Sequence, residues 1–426
     1  MSGFSRWTVD DMTIEPQIVN EVVIQLPDVS TIGLGDVVEQ RCFQSETQAL
    51  HEELLSYWTP TWQAMSTVEP STWNWVIAFF QAHVPQLQMQ LGPISPDQWF
   101  GALRKYRTNA ARGVDGISPK DLLSLPMAWT LRLLDLLHAI ELGQSDWPTA
   151  ILYGVVNVLA KDEGASTVDR FRPVVVFSVI YRTWARVRAK QLLRWLTPLM
   201  DVEAFGFMPG CEPSQPWLVL QAEIEVALQT HTSLCGLSTD LNQAFNFIPR
   251  QHSFALAEHV GVPSFFLVPW QSFLTNCTRA FHVRGCLSAT TTSSCGLPEG
   301  DVMSVYGMTQ LSFSMLGLYM RAFSPSVRAM SFVDNLSLLS SAPGFLAHGL
   351  ACIIEFSGCG TWQSMLENLT AGHFVMTNGN SLTFYRYLSR GWSMLMSWAE
   401  SFLLLGADSL AFSKRRLLDS LVAGRD

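Results

Sequence analysis

Two stretches decide the fold: Leu234-Cys-Gly-Leu-Ser-Thr-Asp240 and, further along, Met330-Ser-Phe-Val-Asp-Asn-Leu-Ser-Leu-Leu339. The first has the length and apolar character of a short strand and carries no charge until its last residue. Asp240 therefore stands at a strand end, where a side chain can face an open cleft. Leu241 to Phe247 then has helix-compatible spacing. The second stretch reads as two apolar runs about Asp334-Asn335, the pattern of a tight hairpin. A carboxylate at that tip can meet one from a neighbouring strand. Two carboxylates so paired can hold two divalent cations about 3.5–4 Å apart, an arrangement that activates an attacking hydroxyl and stabilises a leaving pyrophosphate. Taken singly, each aspartate has a plainer use, Asp240 as the cap of the next helix and Asp334 as a turn residue.

Between these stretches lies Gly296-Leu-Pro-Glu-Gly-Asp301, whose glycines and proline fix a loop that can bring backbone close to a nucleotide or template, or can simply be a turn. Upstream, Arg182, Arg186, Lys190 and Arg194 recur every four residues and form a slowly drifting stripe on a helix. A solvated helix face and one wall of a polyanion groove both fit such a stripe. Arg104-Lys105-x-Arg107 with Arg112 adds a second basic group in favour of the groove. The formal net charge of −9 excludes whole-surface attraction to nucleic acid, but the charge is unevenly spread. Residues 1–60 hold two basic residues against ten acidic ones, whereas Lys161 to Arg194 holds eight basic against three acidic.

The chain is long enough for two or three domains, and its 426 residues are 48% hydrophobic and 15% charged, which excludes a disordered protein. Its eight cysteines include no Cys-x-x-Cys pair, so reduced thiols in an intracellular protein, nuclear or cytoplasmic, are expected rather than a zinc site. Residues 1–45 read as an acidic flexible leader and 46–100 as a helical region, with helical signals at Glu52–Trp58 and Trp73–Ala82. Residues 101–345 alternate strand-like and helical runs, the texture of an α+β layer, and 346–426 fit no clear element. Two charge-free runs, Val302 to Met320 and Leu336 to Ile354, are long enough to cross a membrane, but their serines and Pro343-Gly344 favour buried core elements.

Taken in order, these pieces resemble the reverse transcriptase domain of non-LTR (LINE-type) retrotransposons over roughly residues 100–340. Ala111-Arg-Gly-Val-Asp-Gly-Ile117 resembles the family's early Gly-x-Asp-Gly-Ile segment. Lys161 and Phe171-Arg172-Pro173, followed by Val179-Ile-Tyr-Arg182, resemble its fingers segment. Asp240 to Phe245, Gly296 to Asp301 and Phe332 to Asn335 resemble motifs A, B and C of its palm. The resemblance implies a right-hand polymerase of α+β class, with mixed helices, fingers and an antiparallel palm sheet, the thumb incomplete or absent. Such an enzyme uses Mg²⁺ and deoxynucleoside triphosphates on an RNA template with a DNA primer, and no membrane. It further implies that Asp240 and Asp334 are catalytic and bind the metals with Asn335. Lys161 and Arg172 would contact the triphosphate, Phe245 would lie under the sugar to exclude a 2′-hydroxyl, and Gly296, Pro298 and Gly300 would complete the nucleotide site. Arg182, Arg186, Lys190 and Arg194 would face nucleic acid.

This chain departs from the family at four points. Motif C usually has a second aspartate where Asn335 stands, motif B usually has glutamine where Glu299 stands, the lysine-bearing segment after motif C is missing, and only Leu405-Gly-Ala407 and Phe412 to Arg416 resemble a late segment. Two alternatives follow, a catalytically inactive nucleic-acid-binding relative and, from another class, a membrane protein built on the two charge-free runs.

Overall fold

The computed structural model describes residues 36–63, 78, 81–82, 88–107, 109–161, 163, 165, 167–199, 203–208, 210–240, 243–248, 250–312, 320–358, 370–377 and 381–388. In chain order the elements used below are α1 (Asp36–Gln63), α2 (Pro96–Leu103), α3 (Pro119–Leu123), α4 (Met127–Glu141), β1 (Tyr153–Ala160), β2 (Phe171–Val176), α5 (Val179–Leu196), α6 (Ser214–Thr230), β3 (Leu234–Asp240), α7 (Ala244–Phe247), α8 (Arg250–Val260), α9 (Ser264–Asn276), β4 (Thr278–Val283), β5 (Cys286–Leu287), α10 (Val302–Ser312), α11 (Arg321–Phe323), β6 (Arg328–Phe332), β7 (Asn335–Ser340), α12 (Pro343–Gly358), β8 (Thr370–Thr377) and β9 (Ser381–Leu388).

Two sheets organise these elements. The first has the order β2-β1-β4-β5, with β1 antiparallel to β2 and parallel to β4. The second, β6-β7-β3-β8-β9, is antiparallel throughout. The class is therefore mixed α+β, as the alternation of runs implies. The β4–β5 hairpin is closed by local chemistry. Arg284 and Gly285 both take positive φ between β4 and β5, which matches the right-handed strand twist.

Helix α5 is the hub. Its N-cap Ser178 accepts the Ile180 N–H at 3.2 Å, and most of its residues are buried. Tyr181 stacks on Phe273 with Trp147 set edge-on to both, and Trp184 stacks on Phe266, so aromatic packing fixes α5 against α9. Arg188 on this helix is fully buried and forms a bidentate pair with Glu141 of α4, both nitrogen–oxygen distances being 2.6 Å. Trp184 Nε1 donates to the same carboxylate at 2.8 Å. Helices α2 and α3 begin with reciprocal capping boxes, Ser95 with Gln98 and Ser118 with Asp121.

Several expectations are corrected. Helix α1 starts at Asp36, inside the segment read as a flexible leader, because no proline or glycine interrupts it between Gly35 and Pro60. Residues 1–35, most of the Trp73–Ala82 signal and residues 389–426, where thumb-like segments were sought, lie outside the described residues. The region read as starting at 346 is continuous with what precedes it: α12 spans the proposed boundary, and β8 pairs with β3 from Asp240↔Thr370 to Leu234↔Met376. The charge-free run 336–354 divides into strand β7 and helix α12, and no helix among the described residues is long and apolar enough to cross a membrane.

Candidate active site

Strand β3 ends on Asp240, and its register against β7 pairs Asp240 with Asn335. Asp334 is the next residue back along the hairpin. The two aspartates, distant in sequence, thus belong to neighbouring backbone positions at one end of the second sheet. The hairpin differs from expectation by one residue: Phe332 pairs with Asn335, so Val333 and Asp334 form the two-residue turn and Asn335 already belongs to β7. Val333 takes φ +60°, a conformation that costs a β-branched residue on the order of 1–3 kcal/mol and persists only when its surroundings enforce it. The enforcement comes from residues 203–206. Phe205 N–H donates to Ser331 O at 2.9 Å, Ser331 N–H donates to Glu203 O at 3.0 Å, and Gly206 lies so close to the Val333 backbone that a Cβ there would collide with it.

Asp334 and Asn335 open into a cleft of about 490 Å³. Lys161, Arg172, Phe245, Glu299 and Gly300 line it too, so the cleft gathers residues from widely separated parts of the chain. Lys161 and Arg172 stand at the loop end of the β1–β2 hairpin, where Leu159 pairs with Arg172, and Lys161 Nζ donates to Asp169 O at 2.8 Å. Asn335 Nδ2 lies 3.4 Å from Asp334 Oδ1, which turns the amide oxygen of Asn335 away from that contact. Asp334 and Asn335 thus offer the cleft a carboxylate and an amide oxygen, hard donors of the kind that divalent cations take.

The Gly296–Asp301 loop divides in two. Gly300 and Glu299 line the cleft, whereas Gly296 and Pro298, expected in the nucleotide site, are buried outside its lining. Gly296, at φ +69°, presses on the Asn246 carbonyl with no room for a Cβ, and the Pro298 carbonyl accepts the Ser304 hydroxyl at 2.8 Å. Both anchor the loop. Burial raises the Glu299 pKa, the hydrogen bond from Asn246 and the charges of Arg172 and Lys161 pull it back, and Asp334 pushes it up. Asp301, the next residue but one, is 3% exposed, accepts from Tyr181 Oη at 2.9 Å and caps α10 through the Met303 N–H at 3.2 Å. Burial pushes its pKa up to about 6 in spite of those bonds.

The basic stripe turns inward. Arg186 is buried, its guanidinium 4.0 Å from the centre of the Tyr106 ring, and Arg182 donates to the Ala111 carbonyl and also covers Tyr106. These two arginines, expected to face nucleic acid, clasp the segment after α2 onto α5. Lys190 is half-buried and Arg194 exposed.

Three cleft residues carried no sequence signal of their own. Phe207, at φ +59°, stands edge-on to Phe245 with ring centres 6.4 Å apart, Trp58 comes from α1, and Asp301 is the last residue of the loop. Only the aromatic-Gly-aromatic run Phe205-Gly206-Phe207 could have flagged the first.

These features coincide with a stretch that has known relatives. Residues 160–358 match the family model described as reverse transcriptase (RNA-dependent DNA polymerase), which takes in Lys161, Arg172, Asp240, Glu299 and Asp334. Among solved structures, the chain is similar to apo telomerase from Candida tropicalis truncated from its C-terminal domain, at 11% identity and a TM-score of 0.39. That alignment covers 56% of this chain and 55% of the telomerase chain, so the chain spans about half the length of that structure. No curated protein matches the sequence.

Proposed function

We propose that the chain is a reverse transcriptase-like, RNA-directed DNA polymerase of non-LTR retrotransposon origin, acting by two-metal nucleotidyl transfer. One observation carries the reading: the register pairs the Asp240 backbone with that of Asn335, next to Asp334, which lines a cleft together with Lys161 and Arg172. In this reading the second sheet is the palm and the β1–β2 hairpin belongs to the fingers. Asp240 and Asp334 hold the cations and Asn335 lends its amide oxygen. Mg²⁺ bound there would activate the primer 3′-hydroxyl and offset charge on the departing pyrophosphate. Lys161 and Arg172 hold the triphosphate of the incoming deoxynucleotide, a task for which the planar guanidinium is well shaped. Phe245 lies beneath the sugar and leaves no space for a 2′-hydroxyl.

Primer extension on an RNA template with a DNA primer tests this. Asp240→Ala or Asp334→Ala is expected to lower incorporation on the order of a hundredfold or more, and extension that survives either change overturns the assignment. Asn335 favours a second reading, an inactive relative that binds nucleic acid, because an amide brings one negative charge fewer to the cations than a carboxylate does. Under the polymerase reading Asn335→Asp supports or raises incorporation. Under the second, RNA binding is salt-sensitive and incorporation is absent from both proteins.

A further inference from the structure

Glu299 is held by a chain of hydrogen bonds that starts outside the cleft. Trp62 of α1 is 1% exposed, and its Nε1 donates to Asn246 Oδ1 at 2.9 Å. Asn246, itself 2% exposed, donates from Nδ2 to Glu299 Oε1 at 2.7 Å. An indole N–H can only donate, so the orientation of the Asn246 amide is set, and with it the demand that residue 299 present an acceptor to Nδ2. The Glu299 backbone is pinned as well, its carbonyl accepting the Val175 N–H of β2 at 2.7 Å. Glu299 is therefore a carboxyl group fixed at both ends, in the same cleft as Lys161, Arg172 and Asp334.

We propose that Glu299 is a charge gate: held by Trp62 through Asn246, it disfavours a bare triphosphate in the cleft and admits a nucleoside triphosphate as its complex with a divalent cation. The inference rests on reading the cleft as a nucleotide site. A triphosphate seated on Lys161 and Arg172 brings several negative charges near a carboxylate that cannot swing away. A divalent cation on the triphosphate removes most of that repulsion. Glu299 acts on selection of the charged form of the ligand, and Trp62 and Asn246 are positioning residues for it.

The relay makes Glu299→Gln an unusually clean test. Asn246 Nδ2 still requires an acceptor, so the glutamine gives it Oε1 and turns its own NH₂ into the cleft, exchanging an anion for a donor at unchanged shape. Binding of deoxythymidine triphosphate to the full chain would be measured with EDTA and with Mg²⁺. Wild type is expected to bind at least about tenfold more weakly in EDTA, and Glu299→Gln to tighten the EDTA affinity by about tenfold while moving the Mg²⁺ value much less. Trp62→Phe keeps an aromatic ring in place but removes the donor. It is expected to give part of the same gain, and to add nothing in the Glu299→Gln background. If wild type binds the nucleotide yet Glu299→Gln leaves the EDTA affinity unchanged, the gate is overturned and the nucleotide site survives. If Glu299→Gln behaves as expected and folded Trp62→Phe matches wild type, the positioning part is overturned. If wild type binds no nucleotide under either condition, the reading of the cleft fails and takes the gate with it.

Discussion

At the scale of single residues, the site is legible where a side chain's chemistry coincides with an element boundary. Asp240 closes an otherwise uncharged strand and Asp334 sits between two apolar runs, and both signals survive without knowledge of the partner. Asp301 had no such signal, because its environment is supplied by Tyr181 and by the burial of the whole loop. Its titration has a defined consequence. The folded-state pKa, about 6, lies above the ordinary 3.8, so between those values the folded protein keeps a proton that the unfolded chain has released. Stability contributed by this group is therefore greatest below pH 3.8, falls as pH rises through the window and is level above it, by about 3 kcal/mol in all. Asp301→Asn removes the ionisation. Its stability relative to wild type, followed by urea denaturation, is expected to rise between pH 4 and pH 7 and then hold constant. A difference that does not change with pH would mean that Asp301 stays ionised, or is neutralised elsewhere, throughout.

At the scale of elements, periodicity fixed the existence of α5 but not which way it faces. A basic residue every fourth position is the same pattern whether the helix meets water, phosphate or its own protein. What decides it here is the distant Tyr106 ring and the Ala102 and Ala111 carbonyls that receive Arg186 and Arg182. Arg188, off the stripe, is the most deeply committed of all. The hairpin shows the same limit on a smaller scale: alternation located it, and the strap formed by residues 203–206 shifted its turn to Val333-Asp334. The Glu141–Arg188 pair gives this a measurable form. Glu141→Ala strands a fully buried guanidinium and is expected to cost about 3–5 kcal/mol. Replacing both partners together, Glu141→Leu with Arg188→Met, is expected to cost far less, because no uncompensated charge remains. Equal losses in the single and double variants, measured by unfolding midpoint, would mean that packing volume rather than charge dominates at this contact.

At the scale of the whole molecule, α1 joins parts whose connection has no signal in the residue pattern. Its last turns put Trp58 in the cleft wall and stack Trp62 between Trp58 and Phe281 of β4, while Trp62 also covers the buried guanidinium of Arg279, 4.7 Å from its ring. One helix, read from its spacing only as helical, thus rests on the first sheet, reaches α7 through Asn246 and helps close the cleft. Among the described residues, tryptophans range from buried to largely exposed. Trp62→Ala empties a core site and uncovers Arg279, and is expected to destabilise by about 3–5 kcal/mol. Trp217, on the lightly packed α6, is 72% exposed, and Trp217→Ala is expected to stay within about 0.5 kcal/mol of wild type. Urea midpoints of the two variants measure the contrast directly. Near-equal values would show that α1 is not bound into the core, and the relay from Trp62 to Glu299 would lose its fixed end.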